Sequence, residues 1–367
     1  MKAVAVNPTL REIAVREHPE PRLESATAVI ARPLDVGVCG TDREIASFAY
    51  GTPPAGESWL VNGHECLAQV VKVGADVKTV RPGDLVVPIV RRPCPHAECA
   101  PCRAARQDFC VTGDFTERGI RGAHGFMTEQ IVDDERFFLP MPAALRDVGV
   151  LVEPLTIAEK AIEQVRAIET RLPESARHLA ANPKRAVVLG AGPVGLLGAM
   201  VLRLAGYTTY VYSRSAQDAV HGPILTGIGA TLVPAEQQSV SDLADTVGNI
   251  DLVYEAVGAS SLAFEVLKFL GMNGVFVFTG VPGRKAAIKI DTDRVMRHLV
   301  LKNQVAFGTV NAGYASYEHA ARDLGEFATR WPAVVRGLIT SRSPLEAAPT
   351  LLTTKPSGIK SVVSIAS

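Results

Sequence analysis

The chain has 367 residues, of which 47% are hydrophobic and 21% charged, and its 38 Lys and Arg residues balance its 38 Asp and Glu residues. This composition is globular and excludes a disordered chain, a collagen-like fibre and a coiled coil. The formal net charge of zero argues against nucleic-acid binding, which normally requires a basic excess. The length predicts about two domains.

The sequence predicts a cytoplasmic protein without nucleic-acid or membrane partners. Residues Met1 to Val4 lead into mixed polar sequence and not into the apolar core of a signal peptide. The longest uncharged stretch, Ala186–Leu202, is too short for a membrane span and is interrupted by glycines and a proline.

The N-terminal third contains short apolar runs separated by turn residues, a pattern typical of a compact β domain. The runs are Thr27–Ile30, Val36–Val38, Leu67–Val73 and Asp84–Val90, with turns indicated at Gly74, Pro82-Gly83 and Gly113. Near Val150 the spacing becomes helical, which predicts a helix over Pro154–Glu169 and then a connection over Arg171–Arg185.

Four of the six cysteines form a C-x4-C-x2-C-x7-C cluster within that third: Cys94, Cys99, Cys102 and Cys110. In a long chain without a signal peptide, this clustering indicates metal and not disulfides. Four thiolates complete a tetrahedral zinc site, so the predicted zinc is structural. The alternatives are buried or redox-active thiols, and His96 in the first spacer as a competing ligand.

A dinucleotide-binding fingerprint, G-x-G-x-x-G, follows the apolar run from Arg185. The predicted helix Leu196–Ala205 and strand Thr208–Tyr212 supply the context that the fingerprint requires. Its first glycine permits a tight turn, its second lets the backbone approach a pyrophosphate and its third lets helix and strand pack closely, while the helix N-terminus attracts the anion. The predicted cofactor contacts are Gly190, Gly192, Pro193, Val194 and Gly195. The alternative is a glycine-rich turn without a ligand.

Alternating elements continue beyond the fingerprint. Strands are predicted at Ala230–Val233, Asp251–Glu255, Gly274–Thr279 and Val305–Gly308, and helices at Leu262–Leu270 and Tyr314–Trp331. This alternation is typical of a doubly wound parallel sheet, so the predicted fold class is α/β. The last residues, from Gly358, return to strand-like character.

A second set of potential metal ligands is dispersed. It comprises Cys39 in Cys39-Gly-Thr-Asp42, His64 and Glu65 in Gly63-His64-Glu65, and Glu153 in Glu153-Pro-Leu155. Each residue alone has an ordinary structural interpretation, such as a small core thiol or an acid at a helix start. Together, beside a nucleotide fold, they suggest a zinc site, in which three protein ligands leave one position for water or substrate.

With these motifs the chain resembles the zinc-dependent medium-chain dehydrogenase/reductase family over nearly its whole length. Within that family it is most similar to the glucose 1-dehydrogenase branch. The segments that carry this finer resemblance are Cys39–Ile45, Val90–Pro93, Asp108–Gly119, His124–Glu129 and Thr309–Asn311. One departure is the four-residue first spacer between the clustered cysteines, where two residues are usual.

The resemblance implies a GroES-like β-rich catalytic domain, residues 1–155 and 310–367, with a structural zinc lobe at 92–111 and a Rossmann domain at 156–309. It implies a catalytic zinc on Cys39, His64 and Glu153, with Glu65 as an alternating or outer ligand, and therefore two zinc ions per chain. It also implies homo-oligomers, either dimers or tetramers.

The resemblance implies oxidation of an aldose, D-glucose or galactose, at C1 to its lactone. Zinc lowers the pKa of the sugar hydroxyl, Thr41 relays the proton, and the nicotinamide accepts the hydride. The implied sugar contacts are Thr41, Glu117, Glu153 and Asn311. The implied cofactor contacts beyond the fingerprint are Thr279, Gly280, Val281, Thr309, Val310 and Asn311.

The end of the second Rossmann strand indicates NADP. An NAD enzyme usually has an acid there that binds the ribose 2′-hydroxyl, whereas this strand ends in Ser213-Arg214-Ser215 and Asp218 comes later. Arg214 offers a planar fork of donors for a phosphate, and Ser213 is a small donor. A neutral pocket would accept both dinucleotides, so NAD stays possible.

Two other functions fit the same motifs. One is a polyol, threonine or simple alcohol dehydrogenase of the same family, which would form a ketone or aldehyde instead of a lactone. The other is a non-catalytic binding relative, which loss of Cys39, His64 or the fingerprint glycines would favour. All of these residues are present, which favours an enzyme.

Overall fold

The computed structural model describes residues 1–174, 183–214, 220–283, 287–355 and 357–365. The chain divides into two compact units, Met1–Thr156 with Asn311–Ser367, and Ile157–Val310. The predicted domain limits lie one residue away from these junctions. Within the described residues, no helix combines the length and the apolar character needed to cross a bilayer.

The strands and helices are numbered here in chain order. The strands are β1 Lys2–Asn7, β2 Glu12–Glu17, β3 Ala28–Gly37, β4 Leu60–Val61, β5 Glu65–Val73, β6 Leu85–Pro88, β7 Arg91–Arg92, β8 Thr116–Arg118, β9 Gly122–Ala123, β10 Ile131–Asp134, β11 Phe138–Met141, β12 Arg185–Leu189, β13 Thr208–Ser213, β14 Thr231–Pro234, β15 Ile250–Glu255, β16 Leu270–Phe278, β17 Val305–Gly308, β18 Ile339–Pro344 and β19 Lys360–Ser364. The helices are α1 Gly40–Ala46, α2 Ala100–Arg103, α3 Val152–Glu169, α4 Pro193–Leu204, α5 His221–Gly227, α6 Val240–Val247, α7 Ser260–Leu267, α8 Thr292–Leu301, α9 Tyr314–Arg330, α10 Pro332–Leu338 and α11 Ala348–Thr353.

The first unit is built on a sheet of order β11-β6-β5-β3-β19-β18, with β10 also paired to β3. Smaller sheets of order β2-β1-β4 and β7-β8-β9 accompany it. Its core is formed by buried aliphatic and aromatic side chains, among them Val29, Val36, Phe126 and Met127. The C-terminal strand β19 pairs antiparallel with β3, so both ends of the chain contribute to one sheet.

The two short strands predicted over Thr27–Ile30 and Val36–Val38 form one long strand, β3. Pro33 lies between the two predicted strands, and proline cannot donate a ladder hydrogen bond. In the structure the β3–β5 register shifts between Pro33 and Asp35, and this irregularity accommodates the proline. The strand therefore runs unbroken to Gly37, and the next segment carries Cys39.

The second unit is a parallel sheet of order β14-β13-β12-β15-β16-β17. This order reverses between β12 and β15, and ligands of such folds bind outside the carboxyl ends of the strands at that point. The strands are buried on both faces, because consecutive residues, whose side chains point to opposite faces, have no exposed surface: Val187 and Val188 on β12, and Leu252 and Val253 on β15. The fingerprint turn follows β12 directly and therefore lies at this position.

Candidate active site

Strand pairing brings three of the dispersed potential metal ligands together. β3 ends at Gly37, which lies opposite Glu65, the first residue of antiparallel β5. Cys39 follows β3 and His64 precedes β5, so the two residues lie at the same end of this strand pair. One ligand atom each from Cys39, His64 and Glu65 lies within 4.8 Å of the other two. This donor set suits zinc.

Asp42 orients two of these residues. Its Oδ1 lies 3.0 Å from Nδ1 of His64, and its Oδ2 accepts a 2.8 Å hydrogen bond from the backbone N–H of Cys39. The carboxylate is fully buried. With Nδ1 held by Asp42, Nε2 of His64 is the nitrogen that remains for a metal, an arrangement common among metal-binding histidines.

The charges of this cluster set the pKa of His64. Burial disfavours the imidazolium, but the Asp42 carboxylate and the Cys39 sulfur outweigh it, and the pKa of His64 lies well above its usual value. A bound metal requires the neutral ring and a thiolate, so metal binding would release protons here.

Lys360 and Gly37 hold the carboxylate of Glu65. The Lys360 ammonium forms a buried ion pair with Glu65 Oε2 and donates to the carbonyl of Val38 at 3.3 Å. A Cβ on Gly37 would lie 2.1 Å from Glu65 Oε2, so the glycine leaves the space that the carboxylate occupies. Burial lowers the pKa of Lys360, but Glu65 and Cys39 raise it more, which keeps the lysine charged.

Glu153 lies near the cluster but is not part of the group of mutually close ligand atoms. It is the second residue of α3 and is buried. Burial raises the pKa of Glu153, the charge of His64 lowers it, and the Glu65 carboxylate raises it further. The result is a pKa of about 7. In this geometry Glu65 completes the trio with Cys39 and His64, and Glu153 as a ligand remains a prediction.

The clustered cysteines converge as the spacing predicts. One Sγ atom each of Cys94, Cys99, Cys102 and Cys110 lies within 4.8 Å of the others. The one-turn helix α2 begins directly after Cys99 and includes Cys102. Burial opposes ionisation of Cys110, but hydrogen bonds from Thr112 and Gly113 lower the pKa of its thiol to about 6. Thiolates with this geometry fit one tetrahedral zinc ion.

His96 does not belong to this group of four sulfurs. Its Nε2 lies 2.9 Å from Asp114 Oδ2, and its Nδ1 lies 3.8 Å from Glu98 Oε1. The ring is held on the surface of the lobe by these acids, which supports the cysteines as the ligand set.

The predicted sugar contacts Glu117 and Asn311 are hydrogen-bonded to each other, at 3.0 Å between Asn311 Nδ2 and Glu117 Oε1. Arg91 also donates to that oxygen, from Nε at 3.1 Å and from Nη2 at 2.9 Å. Its guanidinium stacks on the ring of Phe115, with Cζ 3.7 Å from the ring centroid. Within the described part of the chain, no hydrogen bond reaches the second oxygen of Glu117, which leaves it available to a ligand.

Thr41, the predicted proton relay, lies in the first turn of α1 between Cys39 and Asp42. Its side chain is partly exposed. A hydroxyl at this position lies close in sequence to the potential ligand Cys39 and has access to solvent, as a proton relay requires.

The three fingerprint glycines of the second unit differ in whether the fold requires a glycine at their position. Gly190 has φ +98°, a conformation that favours glycine, and a Cβ on Gly195 would lie 2.2 Å from the carbonyl oxygen of Gly190. Gly192 has φ −71°, and a Cβ there would meet no protein atom within 4 Å. The fold therefore does not require glycine at 192, and the space above it fits a ligand that approaches the N-terminus of α4.

At the end of β13, Ser213 is partly buried and Arg214 is exposed. Ser215 and Asp218, which entered the cofactor prediction, lie outside the described residues. Arg214 thus has the solvent access that a 2′-phosphate contact needs.

The other predicted cofactor residues lie after β16 and β17. The Thr279 hydroxyl donates to the carbonyl of Glu255 at 2.7 Å, and Gln164 Nε2 donates to the Thr309 hydroxyl at 2.6 Å. Val281 and Val310 are apolar yet 72% and 56% exposed. Apolar side chains left open beside the carboxyl ends of parallel strands suit a planar ring. Asn311 belongs to the first unit, where it contacts Glu117.

Sequence reasoning missed four contributing residues: Asp42, Arg91, Glu255 and Lys360. Asp42 and Arg91 stand in segments that carry the resemblance but had no assigned role. The long-range partners are Glu117 for Arg91, Gly280 for Glu255 and Glu65 for Lys360, and no local pattern indicated these contacts.

Comparisons with known proteins agree with this architecture. Residues 25–143 match the model of the alcohol dehydrogenase GroES-like domain, and residues 146–365 match that of the glucose dehydrogenase C-terminus. The chain is 36% identical over 350 residues to a glucose 1-dehydrogenase of Methanocella arvoryzae, covering 94% of each chain. It is 38% identical over 348 residues to one of Thermoproteus tenax, again covering 94% of each.

A solved structure is similar over the whole length. It is the glucose dehydrogenase of Haloferax mediterranei in complex with NADP, Zn and gluconolactone. The TM-score is 0.89, the identity is 32%, and 100% of each chain is covered. The fold and the zinc-type donor set define a zinc-dependent medium-chain dehydrogenase. Within that class the chain belongs to the glucose 1-dehydrogenase family.

Proposed function

We propose that this chain oxidises an aldose, D-glucose before galactose, at C1 to the lactone and transfers the hydride to NADP. The observation that carries the proposal is the donor trio of Cys39, His64 and Glu65, with its metal-facing histidine held by Asp42. Family membership supports the substrate, since the Haloferax mediterranei relative of the same architecture was solved in complex with NADP, Zn and gluconolactone.

Cys39, His64 and one carboxylate would hold the catalytic zinc, and four cysteines would hold a structural one. When bound, the catalytic zinc supplies a Lewis acid that lowers the pKa of the sugar hydroxyl, and the nicotinamide supplies the hydride acceptor. The Thr41 hydroxyl accepts the released proton as it donates its own proton toward solvent, so that it stays neutral. Asp42 keeps the His64 ring oriented throughout.

Glu117 and Asn311 orient the sugar. A carboxylate accepts hydrogen bonds from several hydroxyls, and Glu117 has one oxygen committed to Arg91 and Asn311 while the other is available. Such polar groups select against simple alcohols, because a substrate without matching hydroxyls leaves them unpaired. This argument distinguishes the proposed activity from that of a simple alcohol dehydrogenase. A polyol dehydrogenase is distinguished by its product, which is a ketone and not a lactone.

Initial rates with D-glucose, D-galactose, D-xylose, sorbitol and ethanol, each with NADP and with NAD, test this proposal. We expect the highest kcat/KM with an aldose and NADP, and a lactone as the product. Strong activity on sorbitol or ethanol with none on any aldose would contradict it. Metal analysis should give about two zinc equivalents per chain, the sum of the two donor sets.

The preference for NADP is assigned to Arg214. Replacement of Arg214 by Ala should raise the KM for NADP by about tenfold or more, since a charged hydrogen bond contributes about 1.5–3 kcal/mol. The KM for NAD should stay nearly constant, because NAD lacks the 2′-phosphate. A wild-type preference for NAD, or equal loss of both dinucleotides in the variant, would overturn the assignment.

We also propose that the chain forms homo-oligomers through its second unit. β17 lies at the end of the parallel sheet with β16 as its neighbour. On α8, the apolar residues Met296, Val300 and Leu301 are more than half exposed. Among the described residues, β17 has an unpaired edge, and such an edge and an exposed apolar patch each favour association with a second copy. Light scattering should give a dimer or tetramer, and Val300→Glu should shift it toward monomer.

A further inference from the structure

One buried carboxylate of the second unit has no part in the proposed chemistry. Glu255 ends β15 and is 2% exposed. Its Oε1 accepts hydrogen bonds from the backbone N–H groups of Val257 at 2.8 Å and Gly258 at 2.7 Å. Its Oε2 accepts from the backbone N–H of Gly280 at 3.2 Å. The three donors belong to two different loops, one after β15 and one after β16.

These loops are in close contact beside the fingerprint turn. A Cβ on Gly280 would lie 2.1 Å from the backbone nitrogen of Gly258, and one on Gly258 would lie 2.6 Å from the carbonyl oxygen of Val281. A Cβ on Gly190 would lie 2.5 Å from Cγ2 of Val257. The loop that Glu255 holds therefore packs against the first glycine of the fingerprint.

The register explains why one side chain reaches all of these groups. Glu255 pairs with Leu189, the last residue of β12, and with Phe278, the last residue of β16. It thus lies between the strands whose carboxyl ends carry the fingerprint turn and the predicted contacts Thr279–Val281. A carboxylate has two acceptor oxygens and can satisfy three amides without a donor of its own.

We propose that Glu255 is a positioning residue for the dinucleotide: its carboxylate preorders the loops after β15 and β16 that border the bound cofactor. This inference rests on the proposed cofactor site at the fingerprint. A loop that is ordered before binding does not lose conformational entropy on binding, so the ligand binds more tightly.

Glu255→Gln is the test, because glutamine keeps the size but replaces one acceptor oxygen with an N–H donor that faces backbone donors. NADP affinity is measured by fluorescence titration and by KM, alongside kcat and the KM for glucose. We expect the Kd for NADP to rise about tenfold. This is the rise expected when only about a tenth of the unliganded molecules have both loops in the conformation that binds the dinucleotide. The KM for glucose should remain within about twofold at saturating NADP.

Asp251→Asn is the matched control. Asp251 lies on the same strand near its opposite end, where its carboxylate accepts from the backbone N–H of Arg185 at 2.8 Å and from Asn249 Nδ2 at 2.7 Å. Both variants remove the charge of a carboxylate that caps backbone groups, but only Glu255 faces the cofactor end of the sheet. Asp251→Asn should lower thermal stability and leave the Kd for NADP unchanged. Equal weakening of NADP binding in both variants would overturn the proposal.

Gly192→Val separates failure of this inference from failure of the cofactor site itself. Its backbone angles and surroundings tolerate a side chain, so the variant should fold but obstruct the ligand. If Gly192→Val binds NADP normally, the proposed cofactor site is wrong and the role of Glu255 falls with it. If Gly192→Val loses NADP while Glu255→Gln retains wild-type affinity, only the role of Glu255 is overturned. Should Glu255→Gln not fold, Glu255→Asp, which keeps both acceptors on a shorter side chain, is measured by the same criteria.

Discussion

The two donor clusters of the first unit are built in different ways. The cysteine lobe takes all its donor atoms from one segment, between Cys94 and Cys110. The trio of Cys39, His64 and Glu65 takes its donor atoms from the ends of two paired strands, and its side chains are held by Asp42 and by Lys360. A local site with four protein ligands is closed and serves folding, whereas a dispersed site with three leaves a position for substrate.

The two clusters also depend on the rest of the fold to different extents. The lobe needs only short loop closures, which cost little entropy. The trio exists only after β3, β5 and β19 have paired, and it needs buried charges of both signs to balance one another. Removing a ligand should therefore affect mainly stability in the lobe and mainly activity in the trio.

The largest effect is expected for Cys39→Ser. Loss of a ligand at the open site should lower kcat/KM on the order of a thousandfold, since a Lewis acid contributes several kcal/mol to the activation free energy. Circular dichroism and the melting temperature should change little, and metal analysis should show loss of about one zinc equivalent. Full turnover in this variant would refute the catalytic assignment.

Cys102→Ser tests the closed site. A structural zinc contributes folding free energy directly, so the melting temperature should fall by about 10 °C or more. Activity measured well below that temperature should be largely retained. An unchanged melting temperature would show that the lobe does not need its fourth sulfur.

Asp42→Asn should have an intermediate effect. The amide preserves the size of the side chain but removes the charge that holds Nδ1 of His64, and such changes reduce metal affinity or activity about 10- to 100-fold. Zinc affinity is measured by competition with a chelator, and kcat/KM at saturating zinc gives the second readout. Wild-type values in both would mean that the His64 ring is oriented without Asp42.

The smallest effect is expected for His96→Ala. The histidine is bound to surface acids and not to the sulfur group, and such exposed pairs contribute at most about 1 kcal/mol. Zinc content and melting temperature should match the wild type within error. Loss of a zinc equivalent in this variant would make His96 a ligand and contradict the four-cysteine site.

Several elements could be predicted because their signals are local. The fingerprint turn and the strand before it follow from glycine spacing and an apolar run, and the helix predicted from Pro154 begins two residues earlier, at Val152. The convergence of Cys94 and Cys110 follows from short spacers. The prediction of two short strands at Thr27–Ile30 and Val36–Val38 was wrong, because they form the single strand β3, whose register shift next to Pro33 depends on the partner strand.

The sequence by itself determined the α/β class, the two-part organisation and the residue types of both donor sets, since periodicity and spacing act over short distances. Only the tertiary structure decided that Glu65 joins Cys39 and His64, because Lys360 meets that carboxylate across the sheet. It likewise decided that Glu255 joins two loops, because parallel strands align their carboxyl ends only once the sheet has formed. A buried charged group must find a partner, however distant in the sequence, because an unpaired buried charge is strongly destabilising.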